Sequence, residues 1–192
     1  MTDTDIINRA LMKLGQDGIA SLSEDNERAR AAAAIYDSVR DSELASYRWC
    51  FAAKRAAIAE CEEKPPFGFA RQFALPDDFL RLIALPDAPD NAADDYSIEG
   101  LHLLTDYPSP LKMLYIARIS SPQFFPPVFA EALACRLAAE LCERITQDAQ
   151  RKQLLMAEYA QTISTAKRCS AIQMAAQRPP EGIFIEARRG LI

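Results

Sequence analysis

Prolines divide this chain more firmly than any other feature. Of its 12 prolines, most lie between residues 50 and 121 or at the edge of that stretch, and none falls in 1–49 or 128–178. A proline lacks the backbone donor and its ring collides with the preceding helical turn, so long helices are confined to the two outer stretches. Those stretches are rich in alanine, which loses no side-chain entropy in a helix, and poor in glycine, which loses the most backbone freedom. At 192 residues the chain suffices for one well-buried domain, or for one domain with a small insertion.

The first helix is expected from Asp3 or Thr4 to about Leu14, with Ile6, Ile7, Ala10, Leu11 and Leu14 on one face and Gly15 and Gly18 stopping it. Ser21 and Glu24 have capping-box spacing, which predicts a second helix running to about Tyr47. Ala32, Ile35, Val39, Ser42, Ser46 and Trp49 recur along it in steps of three and four. Helix returns after Pro127. There Arg136, Glu140, Glu143 and Arg144 share one stripe and apolar residues fill the rest, so this helix should be buried on most sides. A last helix, about Asp148 to Gln177, carries Met156, Tyr159, Ile163, Ala166 and Ser170 at spacing that suits antiparallel packing. Pro179-Pro180 ends it.

Between Cys50 and Ser121 apolar residues come in short runs, which read as strands at Phe69–Leu75, Tyr96–Ile98, Leu101–Thr105 and Leu111–Arg118. Glu99-Gly100 is a tight hairpin turn and Tyr107-Pro108-Ser109-Pro110 the next connection. Phe51–Cys61 fits a strand or a continued helix equally. Asp77, Asp78, Asp87, Asp90, Asp94 and Asp95 crowd the loops and read as solvated turns.

The formal charge of −5 supplies no basic face for gripping nucleic acid. Cys50, Cys61, Cys135, Cys142 and Cys169 are odd in number and lack CxxC spacing, so they read as reduced thiols of a cytoplasmic chain, and no run is long and apolar enough for a membrane span. A single histidine, His102, argues against histidine-rich metal sites and most histidine catalysis. No phosphate-binding glycine loop, nucleophile elbow, HExxH or EF-hand pattern occurs. Cys50 beside Trp49 would sit in apolar surroundings that make a thiol inert. Glu60, Glu62 and Glu63 are the only tight glutamate cluster, and nothing near them would set two carboxyls to different tasks. No cofactor, metal or catalytic residue is therefore expected.

The order of residues says more. Asn8-Arg9-Ala10-Leu11, Leu14-Gly15, Ile19, Leu22, Glu24, Tyr36, Arg40-Asp41, Leu44, Trp49, Phe51-Ala52 and Arg55 open a pattern that continues through Pro66-Phe67-Gly68-Phe69, Phe73, Leu75-Pro76-Asp77-Asp78, Leu80-Arg81, Tyr96, Glu99-Gly100, Tyr115, Pro122, Phe125, Phe129 and the Leu133–Leu141 helix. This arrangement resembles the tail tubular protein A and head-completion adaptor family of tailed phages. The resemblance implies a non-enzymatic virion protein that forms a ring of about twelve copies beneath the portal protein, joins head to tail, meets a downstream tail or nozzle protein, and lets double-stranded DNA pass without a membrane partner. It would be made in the host cytoplasm and reside at the head–tail interface of the virion. Some relatives in that family are described as cell-wall hydrolases, so a virion-associated peptidoglycan hydrolase is one alternative; a helical scaffold binding a host protein is another.

The expected fold is α+β but mainly α: a four-helix-type bundle from 1–49 and 122–178, a small antiparallel β insertion over 50–121, and an extended C-terminal arm over 179–192. Ile183, Phe184, Ile185, Arg188, Arg189, Leu191 and Ile192 are the expected docking residues toward the portal or a neighbouring copy. Trp49, Tyr36, Tyr159 and Ile163 are expected to pack subunits together.

Overall fold

The computed structural model describes residues 1–87 and 95–174. Helix α1, Asp3–Lys13, starts at Thr2, whose hydroxyl accepts the Asp5 N–H at 3.2 Å while the Asp5 carboxylate accepts the Thr2 N–H at 2.7 Å. This reciprocal capping satisfies two otherwise orphaned donors. The helix closes on Gly15 at φ +68°, a conformation open to glycine because it has no Cβ to clash.

Helix α2 is Glu27–Ser46, capped by Asn26 through the Ala29 N–H. The capping box expected at Ser21 and Glu24 does not form. Glu24 instead accepts the Ala20 N–H and the Asn26 side-chain amide, so it braces a turn ahead of the helix. Helix α3, Pro127–Thr146, begins with proline at its first position, where the missing N–H costs nothing. Gln147 in the left-handed region ends α3, and Asp148 accepts the Arg151 N–H to start α4, Ala149–Ile172. That two-residue joint folds α4 back along α3. Ala130, Ala132, Ala134, Cys135, Ala138, Ala139 and Cys142 of α3 are all buried; such small side chains let α1, α2 and α4 come close.

Among the described residues six strands follow α2: β1 Ala53–Ile58, β2 Arg71–Ala74, β3 Phe79–Ala84, β4 Tyr96–Glu99, β5 His102–Thr105 and β6 Leu111–Ala117. They form two antiparallel sheets, ordered β1-β6-β3 and β2-β5-β4. The β4–β5 hairpin pairs Glu99 with His102 across Gly100-Leu101, with Gly100 at φ +60°.

Strand β6 explains how the parts join. Its Leu111, Met113, Tyr115 and Ala117 pack with Phe73 and Leu103 of the second sheet, while Ile116 packs into the helical core with Trp49, Phe129 and Leu137. Neighbouring β3 divides likewise: Phe79 and Leu82 face the second sheet, Leu80 and Ile83 the helices. The first sheet is therefore a middle layer with helices on one face and the second sheet on the other.

A mainly α bundle with a small β insertion is thus the wrong description. Of the described residues, helix makes up 47 % and strand 19 %, and the sheet completes the helical core instead of standing outside it, so the fold is a mixed one of helices and two sheets. Two strands account for the error. In β1 the run AKRAAI has helix-favouring alanines, and its edge pairing with β6 overrides that preference. In β3 the run FLRLIA is half-buried on both faces, which removes the alternation that marks a one-sided strand.

Candidate interaction surface

The residues that carried the sequence pattern hold the fold together. Asn8 on α1 grips Ile19 at both backbone atoms: its amide donates to the Ile19 carbonyl at 3.0 Å and its carbonyl accepts the Ile19 N–H at 2.8 Å. Tyr36 donates to Asp3 at 2.6 Å, and burial together with that carboxylate holds its phenol well above the ordinary tyrosine range. Arg40 is 6 % exposed and pairs with Asp37 and Asp41 at 2.8 and 2.9 Å, while Arg118 after β6 reaches the same Asp41 at 2.6 Å. Asp78 accepts the Tyr115 hydroxyl at 2.8 Å and pairs with Lys54 at 2.7 Å. Burial and then Asp78 push the Tyr115 phenol up to about 12.

Four residues expected between subunits lie within this chain. Trp49 is buried against Phe51 and Phe129, and its indole N–H donates to the Glu43 carbonyl at 2.8 Å. Tyr36 and Ile163 are buried, and Tyr159 donates to the Glu43 carboxylate at 2.7 Å. These side chains pack helices of one copy. The expected docking residues Ile183, Phe184, Ile185, Arg188, Arg189, Leu191 and Ile192 lie outside the described residues, as do Asp90 and Asp94.

Glu131, Cys135 and Glu158 bring three metal-ligand atoms within 4.8 Å of one another. The cation between them is protein: Lys13 Nζ lies 2.8 Å from Glu131 and 2.6 Å from Glu158. Partial burial pulls the Lys13 ammonium pKa down, but the two carboxylates outweigh it and hold it above the ordinary lysine range. Burial raises the Cys135 thiol, which leaves it protonated and a poor ligand. The cluster acts as a tie joining α1, α3 and α4.

The glutamate cluster of the sequence disperses. Glu60 pairs with Arg71 at 3.2 Å, and Glu62 and Glu63 are exposed beside it. Among the expected aspartate turns, Asp87 pairs with Lys112 and Asp95 accepts the Tyr107 hydroxyl.

Two apolar features stand out. A groove of about 240 Å³ runs between Trp49–Phe51, the start of α3 and the last turns of α4, with Phe129, Ala166, Cys169 and Gln173 in its walls. Its floor is fixed by the Cys50 N–H, which donates to Ser170 Oγ at 2.9 Å, and by Cys50 Sγ, which donates to the Gln173 side chain at 2.9 Å. Large apolar side chains are also exposed on both outer layers: Phe67 at 85 % and Leu101 at 78 % on the loops of the second sheet, and Leu154 at 72 % and Ile172 at 78 % on α4.

No family model matches the chain, and no curated protein matches it.

The groove was missed in the sequence because its walls come from three distant segments. The available signal was the aromatic set Trp49, Phe51, Phe125 and Phe129, whose rings meet at 4.9 to 6.0 Å. No described helix is long and apolar enough to cross a membrane.

Proposed function

We propose that this protein is a structural head-to-tail connector of a tailed phage or prophage, a ring-forming adaptor placed between the portal protein and the next tail component. The observation that carries the reading is the set of large apolar side chains exposed on both outer layers. Phe67 and Leu101 lie on the loops of the second sheet and Leu154 and Ile172 on α4, and partners covering them would remove their apolar surface from water. A subunit in a ring or stack needs two such faces, because a head-to-tail contact uses different patches on the two partners. The residue order resembling tail tubular protein A supports the same reading.

Assembly is then the mechanism. Neighbouring copies close the ring, residues 179–192 latch to the portal, and the second sheet presents Phe67 and Leu101 to the downstream tail or nozzle protein. Twelve copies at −5 each would sum to about −60, a field that repels the phosphate backbone and lets double-stranded DNA slide. The charge-bearing groups described above are spent on ties within the chain, which suits a protein whose work is binding.

Mixing the full-length protein with its portal and counting subunits by native mass spectrometry tests the proposal. A defined ring on the portal is expected. A protein that stays monomeric beside the portal, or that turns over peptidoglycan and loses that activity in Glu60→Gln or Glu63→Gln, would overturn it.

A further inference from the structure

We infer that Cys169 and Cys50 form a thiol oxidation site, in which a hydroperoxide oxidises Cys169 and Cys50 converts the product to a disulfide that ties the last turn of α4 to the segment entering β1. Both cysteines line the same groove, although they stand 119 positions apart. Two hydrogen bonds hold Cys50 against that turn: its N–H donates to Ser170 Oγ at 2.9 Å, and its Sγ donates to Gln173 Oε1 at 2.9 Å. Ser170 adjoins Cys169, and Gln173 lies four residues on and keeps helical backbone angles, so Cys169 and Gln173 share one face. A helical side chain leans over the turn N-terminal to it, which carries the Gln173 amide, and the Cys50 thiol bonded to it, back toward Cys169.

Exposure assigns the two roles. Of the five cysteines Cys169 alone is exposed; Cys50 and Cys61 are half-buried, and Cys135 and Cys142 are buried. Oxidants select accessible thiols, and a cysteine oxidised reversibly works with a resolving thiol beside it. Cys61 lies beyond β1, donates its N–H to the Gln72 carbonyl at 2.9 Å and does not line the groove. Ala171, Ile172 and Gln173 are exposed, so few packing contacts stop the end of α4 from adjusting to the narrow geometry of a disulfide.

The reaction balances with the hydroperoxide as oxidant. The Cys169 sulfur takes one oxygen and becomes a sulfenic acid, while the O–O bond breaks and the hydroperoxide leaves as an alcohol or water. The Cys50 sulfur then attacks that sulfur; the S–S bond forms, the S–O bond breaks, and the hydroxyl departs as water with the Cys50 proton. Two thiols lose two electrons to one hydroperoxide, and a dithiol reverses the link. The site belongs to a single chain and does not rest on the connector reading.

Full-length protein treated with hydrogen peroxide, alkylated in denaturant and mapped by peptide mass spectrometry tests it. Alkylatable thiols should fall from five to three, with a Cys50–Cys169 peptide pair that dithiothreitol separates. Five thiols remaining, links between chains, a pair that includes Cys61, or Cys169 oxidised while Cys50 still alkylates would each overturn the inference. Dimedone, which traps sulfenic acids, gives a second readout: peroxide-treated Cys50→Ser should be labelled at Cys169 and the unaltered protein should not. Equal labelling of the two would remove Cys50 from the resolving role. Closing so long a loop restricts the unfolded chain, so the linked form should melt on the order of 10 °C higher. A midpoint that stays or falls would count against a link that fits the fold.

Discussion

Lys13 Nζ in the last turn of α1 lies 2.6 Å from Glu158 Oε1 on α4, although 145 positions separate the two residues. Glu131 on α3 shares the same ammonium. Three helices thus meet at one cation, and a chain segment that could have held a metal is closed by an internal charge.

Replacing that ammonium has a pH signature. The Lys13 hydrogen bond holds Glu131 below its ordinary value in spite of partial burial, so its stabilisation is present above the usual glutamate pKa and lost as pH falls through the lower folded value. Lys13, raised in the fold, contributes fully below the ordinary lysine pKa and loses its contribution only as pH rises past its folded value. Lys13→Met should therefore cost about 1 kcal/mol from pH 5 to 9, a figure kept small because Glu131 and Glu158 are 36 % and 48 % exposed. Urea unfolding across pH should show the difference shrinking below pH 4.

Asn8 should be sensitive to neighbours as well as to substitution. Asn8→Ala removes both bonds to Ile19 and should cost about 1–3 kcal/mol by leaving backbone groups unpaired. Gly18→Ala places a Cβ 3.0 Å from Asn8 Oδ1, so it should disturb the same clamp. If the two effects act through one contact, the double variant will fall short of their sum in chemical denaturation.

Trp49 is the single tryptophan and the centre of the aromatic set. Trp49→Ala should cost about 3–5 kcal/mol through the cavity it leaves. Trp49→Phe should cost less, about 1–3 kcal/mol, chiefly from the lost donor to the Glu43 carbonyl. Far-UV circular dichroism during urea unfolding checks both, since the intrinsic fluorescence goes with the residue.

Surface variants separate assembly from folding. Phe67→Ser and Leu101→Ser remove exposed side chains and should leave the thermal midpoint within about 2 °C, since surface changes of this kind move stability little. They should weaken binding to the downstream tail component in a pull-down, while the full-length variant F184D weakens capture by the portal. Unchanged binding in either assay would remove that residue from its interface.

Much of the helical architecture was legible. The boundaries of α1 and the start of α3 follow from proline and glycine positions and from periodic Ile, Leu and Ala, which act within a few residues of one another. The start of α2 was misplaced because Glu24 has two ways to satisfy backbone donors, and the loop uses one that competes with capping. Strand β1 was left open between strand and helix and β3 escaped, because their identity depends on β6, at least 30 positions further along in each pairing. The candidate site was less legible. Trp49, Tyr36, Tyr159 and Ile163 were expected between subunits and make their contacts within this chain, because hydrophobic periodicity does not say whether the partner helix belongs to the same chain.

By itself the sequence determined where helices could run, the acidic balance and the residue types at each turn, because these depend on backbone sterics, side-chain entropy and charge count. The tertiary structure alone decided that the first sheet would be a middle layer, that Lys13 would occupy the Glu131–Glu158 pocket, and that Trp49, Phe129 and Cys169 would frame a groove beside the end of α4. Each of these joins segments far apart in the chain, and only burial of their apolar faces against one another selects that joining from the many the pattern allows.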